Sequence, residues 1–209
     1  MRSVLILFAT SHGMTRTISQ KLAADLRAAG HYVVLHDLAA RPPGPAGFDA
    51  VVLGSRVHFD RHARSLYRYV RRHRAALDPG RTWLYSVSMT AAAGEQGDAG
   101  DYLASFIRRS GFDPHRSVSL AGALAYTEYG PITRRVMKRI SARLGGDTDT
   151  SINHEYTDWA EVARLGREIG ASLVRRSSTT VVLPAPTDPP APPAPSPLGP
   201  VPATPSARR

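Results

Sequence analysis

The sequence predicts an α/β protein in which five strands form one parallel sheet with helices on both faces. Two observations lead to this fold class. Short continuous apolar runs, of which 4–9 is the first, are typical of strands that are buried on both faces. These runs alternate along the chain with segments whose apolar residues recur at helical spacing, and strands that alternate with helices pair in parallel.

Each element has its own signal. The run 4–9 predicts the first strand, and a helix at 14–29 follows it and stops at Gly30. Asp158 and Glu161 have the spacing of a capping box at the start of the last helix. The remaining strands are predicted at 31–36, 48–55, 82–88 and 117–126. The helices after the first are predicted at 63–77, 102–109, 132–144 and 158–175.

The chain divides into a domain and a tail. Residues 1–176 contain every predicted element, whereas 177–209 are rich in proline and alanine without periodicity, so we expect a disordered tail. The absence of cysteine excludes disulfides and thiol chemistry and suits a reducing cytosol. We expect neither a signal peptide nor a membrane-spanning segment, because the first apolar run is short and no longer one follows.

The first loop, 10–15, has the chemistry of a phosphate site. Thr10, Ser11, Gly13 and Thr15 lead into a helix start, where backbone N–H groups and the helix dipole favour an anion. The loop is neither a P-loop nor a G-x-G-x-x-G turn, so it suits one phosphate monoester better than a triphosphate. The alternative is that its hydroxyl groups only cap the helix.

The loop TSHGMT, the strand end GSRVHF and the five alternating strands resemble the flavodoxin superfamily, in which this loop holds the phosphate of FMN. Over roughly residues 3–171, successive blocks are similar to the bacterial menaquinone-dependent protoporphyrinogen IX dehydrogenases: VVLGSRVHF, LYSVSM, AGALAYTEY, RLGGDTDT and YTDWAEVARLGREI. The resemblance implies a flavodoxin-like three-layer sandwich with strand order 2-1-3-4-5 and one noncovalently bound FMN.

The resemblance also implies a function. It implies stepwise oxidation of a tetrapyrrole, protoporphyrinogen IX, to protoporphyrin IX in haem biosynthesis, with a membrane quinone as acceptor. It implies no particular acid–base residue and no oligomeric state. Residues 90–101, small, glycine-rich and acidic, are expected to form a loop where the family carries a basic insertion. The cofactor-binding residues carried over to this chain are Thr10, Ser11, His12, Gly13, Met14, Thr15, Ser55, Arg56, Val57, His58, Ser86, Val87, Ser88 and Met89.

Two predicted helices are strongly basic in a chain with a net charge of +10. Residues 56–74 carry seven arginines against Asp60, and 131–143 carry five cations and no acid. The apolar face of the second segment consists of Ile132, Val136, Met137 and Ile140. This pattern suits an anionic membrane surface, so we expect a cytoplasmic protein that is peripheral at the membrane. The alternatives are a solvated face on a core-packed helix and a genomic bias towards arginine.

The sequence does not indicate nucleic acid or a metal ion as a partner. No nucleic-acid-binding motif is present, and no spacing of His, Asp and Glu indicates a metal site. Tyr126 and Tyr129 follow the fifth strand and either stack on flavin or substrate or pack in the protein. The competing functions are a flavodoxin-like electron carrier, against which the positive charge argues, and an FMN-dependent quinone reductase that uses a nicotinamide cofactor.

Overall fold

Eight strands, five α-helices and two 3₁₀ turns lie in the described part of the computed structural model, residues 1–58, 61–93, 96–124, 126–127, 130–143 and 145–175. Of residues 92, 93, 96–100 and 140 only the backbone is described. The strands are β1 (Ser3–Ala9), β2 (Tyr32–Asp37), β3 (Ala50–His58), β4 (Arg61–His62), β5 (Thr82–Ser88), β6 (Arg116–Ala121), β7 (Ala123–Leu124) and β8 (His154–Glu155). The helices are α1 (Met14–Ala28), α2 (Arg64–His73), α3 (Gln96–Ser110), α4 (Pro131–Arg143) and α5 (Trp159–Arg175).

Five strands run parallel in one sheet in the order β2-β1-β3-β5-β6. In this register Leu5 of β1 lies between Val34 of β2 and Val51 of β3. The short β4 pairs antiparallel with β3 outside this path. The fold class is the predicted flavodoxin-like α/β sandwich, and the parallel strands keep the predicted order 2-1-3-4-5. The strand count differs because β4 and β8 were not predicted and because the single predicted strand 117–126 is divided into β6 and β7.

Alternate residues of each strand pack into the hydrophobic cores on opposite faces of the sheet. Val4 and Ile6 of β1 belong to the core cluster that contains α1 and α5. Leu5 and Leu7 belong to the cluster on the other face, with residues of α2 and α3. All four side chains are fully buried, which explains the continuous apolar run in the sequence.

The predicted strand 117–126 is wrong in its second half. The parallel strand β6 ends at Ala121, and β7 pairs antiparallel with β8 in a separate two-stranded sheet. The backbone of Gly122 marks the change of partner, because its N–H donates to Ser88 O and its carbonyl accepts from Tyr156 N–H. Local apolar pattern cannot show such a change, since both halves are equally apolar.

The expected glycine-rich loop at 90–101 is also wrong. Thr90–Ala93 form a 3₁₀ turn, and α3 begins at Gln96, six residues before the predicted start of this helix. Glycine costs about 1 kcal/mol relative to alanine inside a helix. Packing of Phe106, which is fully buried, with the partly buried Leu103 and Ile107 fixes α3 against the sheet and outweighs that cost.

Side chains form hydrogen bonds with the backbone at the start of α5 and along β2. The Asp158 carboxylate accepts the N–H groups of Ala160 and Glu161, as the predicted cap of α5 requires. Near β2, the guanidinium of Arg27 donates to the carbonyl of Val33 at 2.8 Å.

Helix α2 ends at His73, short of the predicted residue 77. Within the described ranges, no helix is both long enough and apolar enough to cross a membrane. The predicted tail at 177–209 lies outside the described residues.

Candidate functional site

The loop between β1 and α1 exposes an uncapped helix start. Gly13 precedes the helix with φ 86°, a left-handed conformation that glycine adopts without strain. Its N–H donates to Thr10 Oγ1 at 3.0 Å. No side chain caps α1 and no acid lies in its first turn, so the simple capping alternative does not describe this loop. The first N–H groups of α1 and the partial positive charge there are available to an anion.

Eleven of the fourteen predicted cofactor-binding residues line one narrow slot at the carboxyl ends of the parallel strands. The slot has a volume of about 80 Å³. Parallel α/β sheets bind their ligands at this edge. The eleven residues are Thr10, Ser11, His12, Met14, Thr15, Arg56, Val57, His58, Val87, Ser88 and Met89.

The other three predicted residues do not line the slot. Gly13 shapes the loop. Ser55 is fully buried in β3, where its hydroxyl donates to Arg56 O and accepts the Ala63 N–H. Ser86 is fully buried in β5, with its hydroxyl 3.2 Å from Ser119 Oγ. Their hydroxyl groups therefore have protein partners, and a direct role in cofactor binding stays a prediction.

Sequence reasoning missed three residues of the slot: Gly122, Ala123 and Met137. Gly122 gave a usable signal, because a glycine inside an apolar run often marks a close backbone approach. A Cβ at this position would lie 3.2 Å from Val87 Cγ1. Met137 gave no such signal, since α4 is distant from β1 and β3 in sequence.

Burial lowers the pKa of two basic side chains beside the slot, Arg56 and His58. Burial lowers the pKa of Arg56, whose guanidinium stays a cation at neutral pH. Its Nε is buried without a hydrogen-bond partner in the described part of the chain. Burial, followed by repulsion from Arg56 and His12, lowers the pKa of His58, so this imidazole is mainly neutral at pH 7.

A hydrogen-bond network under the loop joins α1 to the centre of the sheet. The hydroxyl of Tyr85 on β5 lies 2.5 Å from Ser19 Oγ, which donates to the Thr15 carbonyl at 2.6 Å. Tyr85 is fully buried, and burial raises the pKa of its phenol, so the hydroxyl stays protonated. Its ring passes directly over Gly54 of β3, where a Cβ would lie 2.2 Å from the phenol oxygen.

Tyr126 is a packing residue in this structure. It is fully buried, its hydroxyl donates to Asp147 O at 3.0 Å, and its ring meets His154 edge to face. Of the two readings open at the sequence level, the structure supports core packing for this tyrosine. Tyr129 lies outside the described residues.

A second, larger cavity of about 710 Å³ opens beside the slot. We call it the arginine cleft, because Arg56, Arg61 and Arg64 line it. It shares Thr10, Arg56 and His58 with the slot. The sequence showed a dense run of arginines but could not show which of them converge on one cavity.

His62 forms a buried wall of the arginine cleft. Burial lowers the pKa of His62 to about 4, against the opposing effect of the Tyr102 backbone. The imidazole is therefore neutral at physiological pH. Among the described side chains that line the cleft, the arginines carry the positive charge.

Comparison with known proteins decides the family. The sequence-family model of the flavodoxin domain matches residues 5–151 of this chain. This chain belongs to the flavodoxin domain family. This chain is 33% identical over 171 residues to protoporphyrinogen IX dehydrogenase (quinone) of Escherichia coli (strain K12), with 79% of this chain and 93% of that protein covered. It is 29% identical to the enzyme of the same name in Leishmania major, covering 80% of this chain and 74% of that protein.

Solved structures agree on the fold of the flavodoxin domain. A short-chain flavodoxin associated with a bacterial microcompartment superposes with a TM-score of 0.51 at 11% identity, covering 85% of this chain and 100% of that chain. At this identity the likeness shows the fold alone.

Membership of the flavodoxin domain family supports a flavin cofactor, and the slot has suitable donors for its phosphate. The helix start behind Gly13 is uncapped. Thr10 uses its hydroxyl oxygen as an acceptor and keeps its proton for a ligand. These groups together form a site for an anion.

Proposed function

We propose that this flavodoxin domain is an FMN-dependent oxidoreductase that oxidises protoporphyrinogen IX to protoporphyrin IX and passes the electrons to a membrane quinone. The observation that carries the proposal is the slot, in which an uncapped helix start and the ends of β3 and β5 meet. The similarity to protoporphyrinogen IX dehydrogenases over most of the chain supports the substrate and the acceptor.

FMN fits this site better than FAD. The loop offers the N–H groups of one helix start and the hydroxyl groups of Thr10, Ser11 and Thr15, a set suited to a single phosphate monoester. FMN, when bound, supplies the two-electron chemistry. The residues of this chain bind and orient it: the loop holds the phosphate, and Val57 and Met89 provide apolar surface for the ring.

The exposed face of α4 supports an acceptor in the membrane. We call this face the α4 surface and define it by Ile132, Val136, Arg135, Lys138 and Arg139, all of which are exposed. Ile132 is 80% exposed, so its apolar side chain is not part of the core. Exposed apolar residues among cations suit an anionic lipid surface.

The α4 surface also lies next to the slot. Met137 of the same helix lines the slot and packs against the Leu124 and Tyr126 cluster. A membrane that contacts the α4 surface would therefore bring a quinone close to the cofactor. We propose an anionic membrane as the occupant of this surface, because its charge is complementary to the three cations.

Anaerobic reduction of the purified flavoprotein tests the function. Protoporphyrinogen IX, coproporphyrinogen and NAD(P)H are added in parallel, and bleaching of the flavin absorbance is followed. We expect protoporphyrinogen IX to reduce the flavin fastest. Faster reduction by NAD(P)H would favour the quinone reductase alternative. No reduction by any of the three, combined with reversible chemical reduction, would favour an electron carrier.

A further inference from the structure

The arginine cleft concentrates positive charge. Three arginines line it: Arg56, Arg61 and Arg64. None of them belongs to an ion pair within the described ranges. The carboxylate of Asp37 lines the cleft too, but it lies 3.5 Å from Arg16 Nη2 and accepts the Ala39 N–H. Even with Asp37 counted in full, the described side chains that line the cleft carry a net charge of +2, from three arginines and one carboxylate.

Two further features favour an anionic ligand in the cleft. Helix α2 begins at Arg64 on the wall of the cleft, with no side-chain cap and no acid in its first turn. Arg56 Nε is buried and has no partner among the described residues. Buried donors normally have acceptors, and the guanidinium fork matches a carboxylate with two parallel hydrogen bonds.

We propose that the arginine cleft binds the two carboxylate groups of the porphyrinogen substrate, a proposal that rests on the proposed function. The cleft and the slot share Thr10, Arg56 and His58. A ligand whose carboxylates lie in the cleft therefore reaches the mouth of the slot with its macrocycle. The net charge of +2 on the described lining residues matches the charge of the two carboxylates.

A binding measurement that needs no electron transfer tests the proposal. The full-length, FMN-loaded protein is titrated with protoporphyrin IX, which keeps both carboxylates but has no electrons to give to the flavin. Its dimethyl ester, which lacks both charges, is titrated in parallel. For the double variant Arg61→Gln with Arg64→Gln we expect the Kd of protoporphyrin IX to rise about tenfold per arginine, while the Kd of the ester stays unchanged.

Matched variants separate direct contact from general electrostatic attraction. Arg68→Gln with Arg71→Gln removes the same charge from exposed positions of α2 that do not line the cleft. We expect this control to change the Kd less than threefold, or about half of one tenfold step. Arg61→Lys keeps the charge but loses the planar fork, and we expect it to bind with intermediate affinity. FMN absorbance confirms that every variant holds its cofactor.

Several outcomes would overturn the proposal. These are unchanged binding in the double variant, an equal loss in the control, binding of the ester as tight as that of the acid, or displacement of the porphyrin by equimolar inorganic phosphate. Failure of the proposed function looks different. In that case protoporphyrin IX binds through the arginines, which supports the cleft as a carboxylate site, while protoporphyrinogen IX leaves the flavin oxidised.

Discussion

At the residue scale, Thr15 tests the phosphate loop most directly. It lines the slot from the first turn of α1 and is only 2% exposed. Thr15→Val keeps the shape of the side chain and removes the hydroxyl. We expect the binding free energy of FMN to weaken by about 1–3 kcal/mol, the cost of leaving a polar partner unmatched. Fluorescence titration of the apoprotein measures it. Thr17→Val, on the exposed side of the same turn, is the control, and equal affinities in all three proteins would place the phosphate elsewhere.

Gly54 and Tyr85 form a tight contact at the centre of the sheet. Gly54→Ala would place a methyl group 2.2 Å from the phenol oxygen of a fully buried ring. We expect the free energy of unfolding to fall by about 3 kcal/mol, because the ring cannot move away without disturbing the core. Chemical denaturation measures the change.

A double variant and a control identify the cause of that loss. Tyr85→Leu removes the far end of the ring, so we expect Gly54→Ala to cost much less in its presence than alone. Gly130→Ala is the matched control, since no atom lies within 4 Å of a Cβ built there. A full loss of stability in the Tyr85→Leu background would contradict the steric explanation.

Individual site residues could be predicted where one short segment contains the whole signal. Thr10 and Thr15 were predicted because strand, loop and helix start follow one another in the chain. Ser55 and Ser86 were included although their hydroxyl groups have partners inside the sheet. Met137 could not be predicted, because its place in the slot depends on how α4 packs and not on its own neighbours in sequence.

At the element scale, the α4 surface makes a prediction about membranes. Changing Arg135, Lys138 and Arg139 to Gln removes three cations, each worth on the order of 1 kcal/mol near an anionic surface. We expect binding to anionic vesicles to be largely lost while FMN stays bound, and wild-type binding to fall with salt. Arg134 is left in place, because its Nε donates to Tyr126 O at 2.9 Å.

Quinone kinetics separate docking from damage at the flavin site. We expect the triple variant to reduce a membrane quinone much more slowly and a soluble short-tailed analogue at the normal rate. The matched control changes Arg68, Arg71 and Arg72 of α2 to Gln, which removes the same charge from another helix. An equal loss of vesicle binding in this control would mean that net charge alone attracts the lipid, and no loss in either would leave α4 as a solvated face.

Elements whose signal lies within their own residues were predictable, and elements that depend on distant contacts were not. β1 and α1 follow from apolar spacing and from Gly30. The start of α3 was missed because glycines 97 and 100 suggested a loop, whereas Phe106 and its neighbours hold the helix against the sheet. β7 was missed because Gly122 passes the chain from one sheet to another.

At the scale of the whole molecule, we expect the domain to fold and to bind FMN without the tail. All described elements end by Arg175, and the core clusters contain residues up to Leu173. We therefore expect deletion of residues 178–209 to leave the FMN content and the Tm nearly unchanged, as measured by absorbance and by differential scanning calorimetry. A truncated protein that loses its flavin or melts much earlier would show that the tail belongs to the fold.

The hydrogen bond from Arg27 to Val33 has a consequence for solubility. Among the described strands, β2 is the last on its side of the sheet, and the outer edge of such a strand is a template on which another polypeptide can add a strand. The guanidinium occupies one backbone carbonyl there and leaves a charge beside it. We expect Arg27→Ala to aggregate at protein concentrations at which the wild type stays monodisperse in light scattering, with FMN binding retained. We therefore expect Arg27 to help keep separate copies of this chain from joining their sheets.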